Sequence, residues 1–514
     1  MESARGEVKD AMSALGEAAM RRVARLARGT ASLAMAGALA ACALIPGERP
    51  QPGPLPDSWI DAPAGAADPA SLTDWWRGFN DPVLDELIAD ALLNGGSVQL
   101  AALRVREARA QTRASVASVL PRIDGFGRGR YNQALDGPDL RTADGLGTEA
   151  EQMSGDYGPQ IAWEVPLFGR IEATALGTRA SRRLAQSDYR GAQVALAADT
   201  AQTYVGLRAA QQSRAALRDA VANADQLANI LAISAEAGFA SPSDAADARR
   251  QAETNRAQLP NVEIEVLRAE RALAVLRGRA PGADAPDVSA ALQAVSTVPT
   301  LAITAAPPAP ADLVRLRPDV AQAEANALIA AAQVGLARGD LLPQLNLTGQ
   351  ISIVDNLIGM PVANRTGGLS LTPFITIPLF AWGQRQALAD ASDARFEQAL
   401  VRYRDTVNSA VGEAANALTA LDQGARRLTA ARAAEAAAEI AARGQRAAQE
   451  AGIRSLADRL RSDQLLIDAR LTRIEAEAAQ ANAAIAVYRA FGGGPANSTP
   501  PRDARRVAGP PAAP

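Results

Sequence analysis

The stretch Leu345-Asn346-Leu347-Thr348-Gly349-Gln350-Ile351-Ser352-Ile353 alternates without a break. Leu345, Leu347, Gly349, Ile351 and Ile353 fall on one side, and Asn346, Thr348, Gln350 and Ser352 on the other. A period of two is that of a β-strand with one apolar and one wet face. Leu369 to Leu379 repeats the pattern, with Leu369, Leu371, Ile375, Ile377 and Leu379 opposite Ser370, Thr372 and Thr376. Earlier in the chain, Tyr157, Ile161, Trp163, Val165 and Leu167 alternate with Asp156, Gln160 and Glu164. Ile123 to Tyr131 is a glycine-rich strand with Asp124, Arg128 and Arg130 on its polar side. Four strands result, two in each half, each long enough to cross a bilayer when tilted.

Around the strands the sequence is helical. Leu84, Leu87, Ile88, Ala91 and Leu92 recur at helical spacing, and a second helix is expected from Val98 to Leu120, before Pro121. No proline lies between Pro166 and Pro242, so one very long helix is expected up to Gly238, with a returning helix from Ser241-Pro242 past Leu276. The same order then recurs: a helix from about Asp319 to Gly339, two strands, and a proline-free run from Pro378 to Pro495 interrupted near Gly452. Leu120-Pro121-Arg122-Ile123 matches Leu342-Pro343-Gln344-Leu345, and Val165-Pro166-Leu167-Phe168 matches Ile377-Pro378-Leu379-Phe380. Glu236-Ala237-Gly238 matches Glu450-Ala451-Gly452. Three ordered matches at nearly one spacing indicate a duplication.

Composition narrows the chemistry. Among 514 residues there is no histidine, one cysteine, and lysine only at Lys9, while aromatics make up 4%. Histidine general bases, Schiff-base lysines, a disulfide framework and a cysteine-histidine zinc site therefore lack candidates, and neither an enzyme, a metal site nor a cofactor is expected. A net charge of -3 gives no reason to expect nucleic acid as a partner. Alanine outnumbers every other residue, which favours long helices packed at close range.

The one cysteine has a position that explains it. Arg21, Arg22, Arg25 and Arg28 precede a small and apolar stretch from Ala31 to Ala41, too short for a permanent span. Leu39-Ala40-Ala41-Cys42 resembles the lipobox of bacterial lipoproteins, which implies cleavage before Cys42 and a diacylglycerol on its thiol. Ala43 follows where an aspartate would favour inner-membrane retention, so the resemblance points to the outer membrane. Two soluble hairpins would fit the strand pattern as well, but a chain poor in large apolar residues has little core for them, and a lipid anchor already places it at a membrane. Four strands cannot close a barrel, which takes about eight, and open edges in hydrocarbon leave backbone groups unpaired. Membrane-crossing strands here imply a barrel shared between chains.

Trp75-Trp76-Arg77-Gly78-Phe79-Asn80-Asp81-Pro82, Leu316-Arg317-Pro318-Asp319-Val320 with Ala323-Glu324, and Gly368-Leu369 leading to Pro378-Leu379-Phe380 and Gly383 resemble the TolC-type outer membrane factors, specifically the lipoprotein branch that serves resistance-nodulation-division efflux pumps. The resemblance implies a mainly α protein with membrane β-strands: a duplicated strand-and-long-helical-hairpin unit, forming a trimeric 12-stranded β-barrel continued by a periplasmic α-helical barrel. The expected organisation is a signal peptide with lipobox (1–41), a lipidated tether (42–70), a first repeat (71–280), a linker (281–311), a second repeat (312–494) and a disordered tail (495–514).

The expected function is an outer membrane exit duct of a tripartite efflux pump. Its partners would be two further copies of the chain, a periplasmic adaptor, an inner-membrane proton-driven pump and outer membrane lipid. Adaptor contacts would fall on the helix turns Gly238-Phe239-Ala240-Ser241 and Gly452-Ile453-Arg454-Ser455. The periplasmic gate would fall on Asp244, Arg454, Asp458, Arg461 and Asp463, with Asp458 the best match to a ring of acidic residues, or with Arg-Asp pairs holding the gate instead. Trp75 and Trp76 are expected only to pack. An adaptor lipoprotein is the alternative, and would carry one hairpin flanked by β-rich domains; a lipid-anchored enzyme or a filamentous scaffold has less support.

Overall fold

In a computed structural model of the full chain, residues 44–59, 72–133, 151–283, 286–294, 296–301, 308–358 and 365–496 are described. Cys42, the leader, part of the tether and nearly all of the tail lie outside them.

Apart from a 3-10 turn at the start of the first, the two halves carry the same elements in the same order. The first has a 3-10 turn (Trp75–Phe79), α1 (Pro82–Asn94), α2 (Gly96–Ala117), β1 (Arg122–Gln133), β2 (Glu151–Val165), α3 (Arg170–Glu236) and α4 (Pro242–Leu276). After α5 (Pro286–Gln293) the second has α6 (Pro310–Leu316), α7 (Pro318–Gly339), β3 (Gln344–Ile358), β4 (Arg365–Thr376), α8 (Gln384–Glu450) and α9 (Leu456–Ala490). Lengths recur as well: α2 and α7 have 22 residues, α3 and α8 have 67, and α4 and α9 have 35. Agreement in order and length is the mark of a duplicated unit.

The four strands form one antiparallel sheet in the order β1-β2-β3-β4. Its register gives the faces. Ile123, Ile161, Gly349 and Leu371 form one row across the sheet, and Asp124, Gln160, Gln350 and Ser370 form another. Since successive residues alternate faces, one face carries the apolar series of all four strands and the other their polar series. On the polar face Arg128 pairs with Asp156 directly opposite it, at 2.8 Å. Among the described residues β1 and β4 are the outer strands, each paired on one side only.

The chain divides into two compact units, each built from both halves. One gathers Met1–Pro50, Ala108–Arg182 and Ala325–Val401, and so contains the sheet; the other gathers Gln51–Glu107, Arg183–Glu324 and Arg402–Pro514. In the first, Ala327, Ala331, Val334, Phe396 and Leu400 form a small core between α7 and α8. In the second, Trp75, Trp76 and Phe79 are buried with Leu84, Leu87, Tyr204 and Ile485, and Trp75 stacks on Tyr488 with ring centroids 5.2 Å apart. Packing is therefore what the tryptophans do. Alanine supplies much of the remaining interhelical contact, among them Ala197, Ala198, Ala201 and Ala484, because small side chains let helices approach.

The two sequence signatures have structural work. Asp81 caps α1, accepting from the amides of Val83 and Leu84 at 3.0 and 3.2 Å, and its second oxygen accepts from the Tyr204 hydroxyl at 2.7 Å. Burial, with that bond, pushes the Tyr204 hydroxyl well above the usual tyrosine range. Arg317 is buried and donates to Asp319, to Glu413 and to the Ala490 carbonyl at the end of α9.

Several expectations need correction. The 281–311 stretch contains α5, held by buried Arg208, which donates to the carbonyls of Ala291, Leu292 and Ala294 at its C-terminal end. Those carbonyls lack intrahelical donors, so a guanidinium caps them. α2 stops at Ala117 and β4 at Thr376, short of Leu120 and Leu379, whereas β2 starts at Glu151. The returning helix meets its expectation up to Leu276: α4 runs through Pro260, which costs one main-chain hydrogen bond but does not end the helix.

Candidate functional site

The two helix turns are built alike. In the first, Gly238 takes φ 75 and the amides of Phe239 and Ala240 donate to the Ser234 carbonyl at 2.8 and 3.1 Å. In the second, Gly452 takes φ 73 and the amides of Ile453 and Arg454 donate to the Ala448 carbonyl at 2.9 and 3.2 Å. A left-handed residue after the last helical turn lets these amides reach the orphan carbonyls, and glycine does so without a Cβ clash. Ser241 and Ser455 then open the returning helices as N-caps. Each turn displays one large apolar side chain: Phe239 is 89% exposed and Ile453 75%.

The acidic candidates divide by role. Asp458 belongs to a capping box: its amide donates to Ser455 Oγ at 3.1 Å, and its Oδ2 accepts from the Ser455 hydroxyl at 2.9 Å and from its amide. Those bonds from Ser455 hold the Asp458 carboxyl below the usual carboxylate range. Arg461 approaches Asp458 at 3.5 Å along the helix surface, a contact of little weight. Asp244 occupies the matching place in α4, but there Ser241 Oγ accepts from the Ser243 amide instead.

Asp463 is the buried member, 8% exposed. Its Oδ1 accepts from Arg446 Nη2 at 2.8 Å and Nε at 3.1 Å, and its Oδ2 from Arg459 Nε at 3.4 Å. Arg446 stands on α8, so this carboxylate joins the two helices of the second hairpin. Between the hairpins, Asn223 Nδ2 on α3 donates to the Leu460 carbonyl on α9 at 2.8 Å, and Leu231, Ala248 and Ala457 close an apolar cluster. Charge clustered near the second turn was visible in the sequence; Arg446 and Asn223 were not singled out. Arg446 lies six residues before the Gly452–Ser455 turn and Asp463 eight after it, so folding the hairpin brings them within reach of each other, which is the signal a hairpin reading offers.

The geometry offers joints and polar locks between long helices. Among the described residues no group of acidic residues, cysteine or histidine could hold a metal ion, and no helix is long and apolar enough to cross a membrane. A family model described as outer membrane efflux protein matches residues 87–279 and 310–493. The chain belongs to the outer membrane efflux protein family. It is 29% identical over 399 residues to the probable efflux pump outer membrane protein SepC of Pseudomonas putida, across 76% of this chain and 81% of SepC. The cation efflux system protein CusC of Escherichia coli is 26% identical over 463 residues, 89% of this chain and 97% of CusC. Among solved structures, the Campylobacter jejuni CmeC outer membrane channel matches with a TM-score of 0.75 at 22% identity, over 90% of this chain and 97% of that one. That last likeness is one of fold. Within this efflux family, each half of the duplication is matched separately, and the break between the matched stretches contains α5.

Proposed function

We propose that three copies of this outer membrane efflux channel protein close a 12-stranded barrel in the outer membrane, anchored by lipid on Cys42, and that their long helices carry the duct into the periplasm toward an adaptor and a proton-driven inner-membrane pump. The observation that carries the reading is the sheet: four strands, one apolar face, one polar face, and two outer strands whose free main-chain groups hydrocarbon would not tolerate. Two long hairpins in one chain favour a duct over an adaptor. Relatives are named for toluene and for cation efflux, which suits a passive wall whose cargo is chosen by the pump, and no catalytic step is assigned to it.

The tether supports the anchor. Ile45 sits against Gly335 of α7, where an added Cβ would stand 2.8 Å from its Cγ1 and 3.1 Å from Ala173 Cβ. Cys42 is three residues upstream, within about 10 Å of Ile45 even if fully extended. Gly335 lies near the end of α7, shortly before β3, so acyl chains on Cys42 would start close to where the strands begin. At the tips, the second hairpin is read as one rigid piece locked by Asp463, Arg446 and Arg459. The Asn223 bond to Leu460 is then the link that must yield when the duct widens. Phe239 and Ile453 are the adaptor-facing side chains of their turns.

Detergent-extracted, acylated protein in a planar bilayer should give discrete conductance steps, and the Asn223→Ala protein should give larger ones. Folded protein that inserts without conductance would reject the duct, and an unchanged step size for Asn223→Ala would remove that bond from the gate.

A further inference from the structure

The turn that leads each β-hairpin back into a long helix holds an aromatic residue in the left-handed region. Phe168 has φ 52 and is followed by Gly169 at φ 76; Trp382 has φ 49 and is followed by Gly383 at φ 74. A bulky residue in this region is a strained choice where glycine or asparagine would fit, and such strain persists where the displayed side chain has a use. The second turn goes further than the first. It is longer, contributes Phe380 as well, and exposes both rings: Trp382 is 88% exposed and Phe380 74%, with Leu379 beside them at 89%. The two rings meet edge to face with centroids 4.8 Å apart.

The register shows where this pair sits in its unit. Val165, Leu345 and Ile375 share one row of the sheet. Phe380 and Trp382 therefore follow just beyond the end of the sheet at which Trp163 stands on the apolar face. Toward the other end of that face stands Tyr131, opposite Met153. From Met153 to Trp163 the strand rises roughly 33 Å at about 3.3 Å per residue. A tilt of about 40° reduces this to roughly 25 Å, the height of the apolar band of outer-membrane barrels, whose two rims carry aromatic girdles. The apolar face thus has an aromatic residue near each rim; Leu379 continues its alternation past Thr376, and the Phe380-Trp382 pair stands next to Leu379, just before the start of α8.

We propose that Phe380 and Trp382 form an interfacial anchor, buried among the headgroups and upper acyl carbons of the periplasmic leaflet, that sets the depth of the barrel in the membrane. This rests on the reading of β1 to β4 as membrane strands. Lipid is the occupant because Leu379, which continues the odd-numbered apolar series of β4 past the end of the sheet, is exposed beside the pair, and because an indole combines an apolar body with an N–H that phosphate or ester oxygens can accept. Two copies of this junction are present per chain, but only the second carries the exposed pair.

The test uses the full acylated chain in vesicles of phosphatidylethanolamine and phosphatidylglycerol, with lipids brominated either near the carbonyl or near mid-chain. Emission lost in Trp382→Phe relative to the parent gives the Trp382 signal; of the four tryptophans that remain, Trp59, Trp75 and Trp76 belong to the unit without the sheet, so lipid quenching of the remainder reports Trp163 and thereby insertion. The expected result is a Trp382 signal quenched more by the shallow label than by the deep one and little by aqueous acrylamide. Trp382→Gly relieves the backbone strain, so a purely structural role predicts an equally or more stable protein at unchanged depth; the anchor predicts a shifted ratio of shallow to deep quenching for Trp163. A Trp382 signal open to acrylamide, or shielded from both water and lipid by a neighbouring copy, overturns the anchor while Trp163 still reports insertion. An unchanged Trp163 ratio in Trp382→Gly overturns the depth-setting role. If no lipid label reaches Trp163, the membrane reading itself falls, and the anchor with it.

Discussion

Asp458 and Asp463 stand on one helix near one turn, yet the structure gives them separate tasks. Asp463 is buried between Arg446 and Arg459, and Asp463→Asn leaves two guanidinium groups without their anion. The loss should be about 2 kcal/mol of local stability, which raises the opening equilibrium of the tip about thirtyfold. Trypsin cutting after Arg454 reads that opening; an unchanged rate would mean that the second hairpin is held elsewhere. Asp458 serves its own helix start. Its carboxyl lies below the ordinary range in the folded chain because Ser455 donates to it. The stabilisation is therefore complete above the unfolded carboxylate pKa of about 3.9 and is lost as pH falls through the lower folded value. Cleavage near Ser455 by an acid protease should accelerate only below about pH 4, and Asp458→Asn should remove that pH step.

At the scale of elements, the strands and the long helices were legible because their signals are local. Alternation at Leu345 to Ile353 gave β3, and the absence of proline between Pro166 and Pro242 gave α3. Boundaries were less so: β4 stops at Thr376 although Ile377 and Leu379 continue the alternation, since no β3 residue remains to pair with them. α5 was hidden for a different reason. It is held by Arg208 and Gln211 of α3, with Gln212 donating to the Ser296 carbonyl just beyond it, all distant in sequence, and its own composition resembles a linker. The ion pairs across the hairpins were legible in principle. Arg218 pairs with Glu263 and Arg432 with Glu477, each pair reaching from twenty residues before its turn to twenty-two after it, in the matching place of its repeat. Pro260 is the exception within α4. Pro260→Ala restores a main-chain donor at an exposed site, so the helical melting transition should rise, with a local gain of up to about 3 kcal/mol. No rise would mean that neighbouring contacts already compensate for the break.

For the whole molecule, the composition makes a prediction of its own. With no histidine, one lysine in the leader and one cysteine expected to carry lipid, few groups titrate between about pH 6 and 9. Burial pushes the carboxyls of Asp85 and Glu270 upward, both outside the strands. Conductance should be flat across that range, and a midpoint near pH 7 would point to a carboxyl pushed far upward at the gate. The central claim is that one chain supplies a third of a closed barrel, because four strands with two open edges cannot stand alone in hydrocarbon. Native mass spectrometry of the detergent-extracted, acylated protein tests it most directly. The account predicts a mass of three chains that persists until the strands unfold; a monomer, or an assembly of any number other than three, would contradict it.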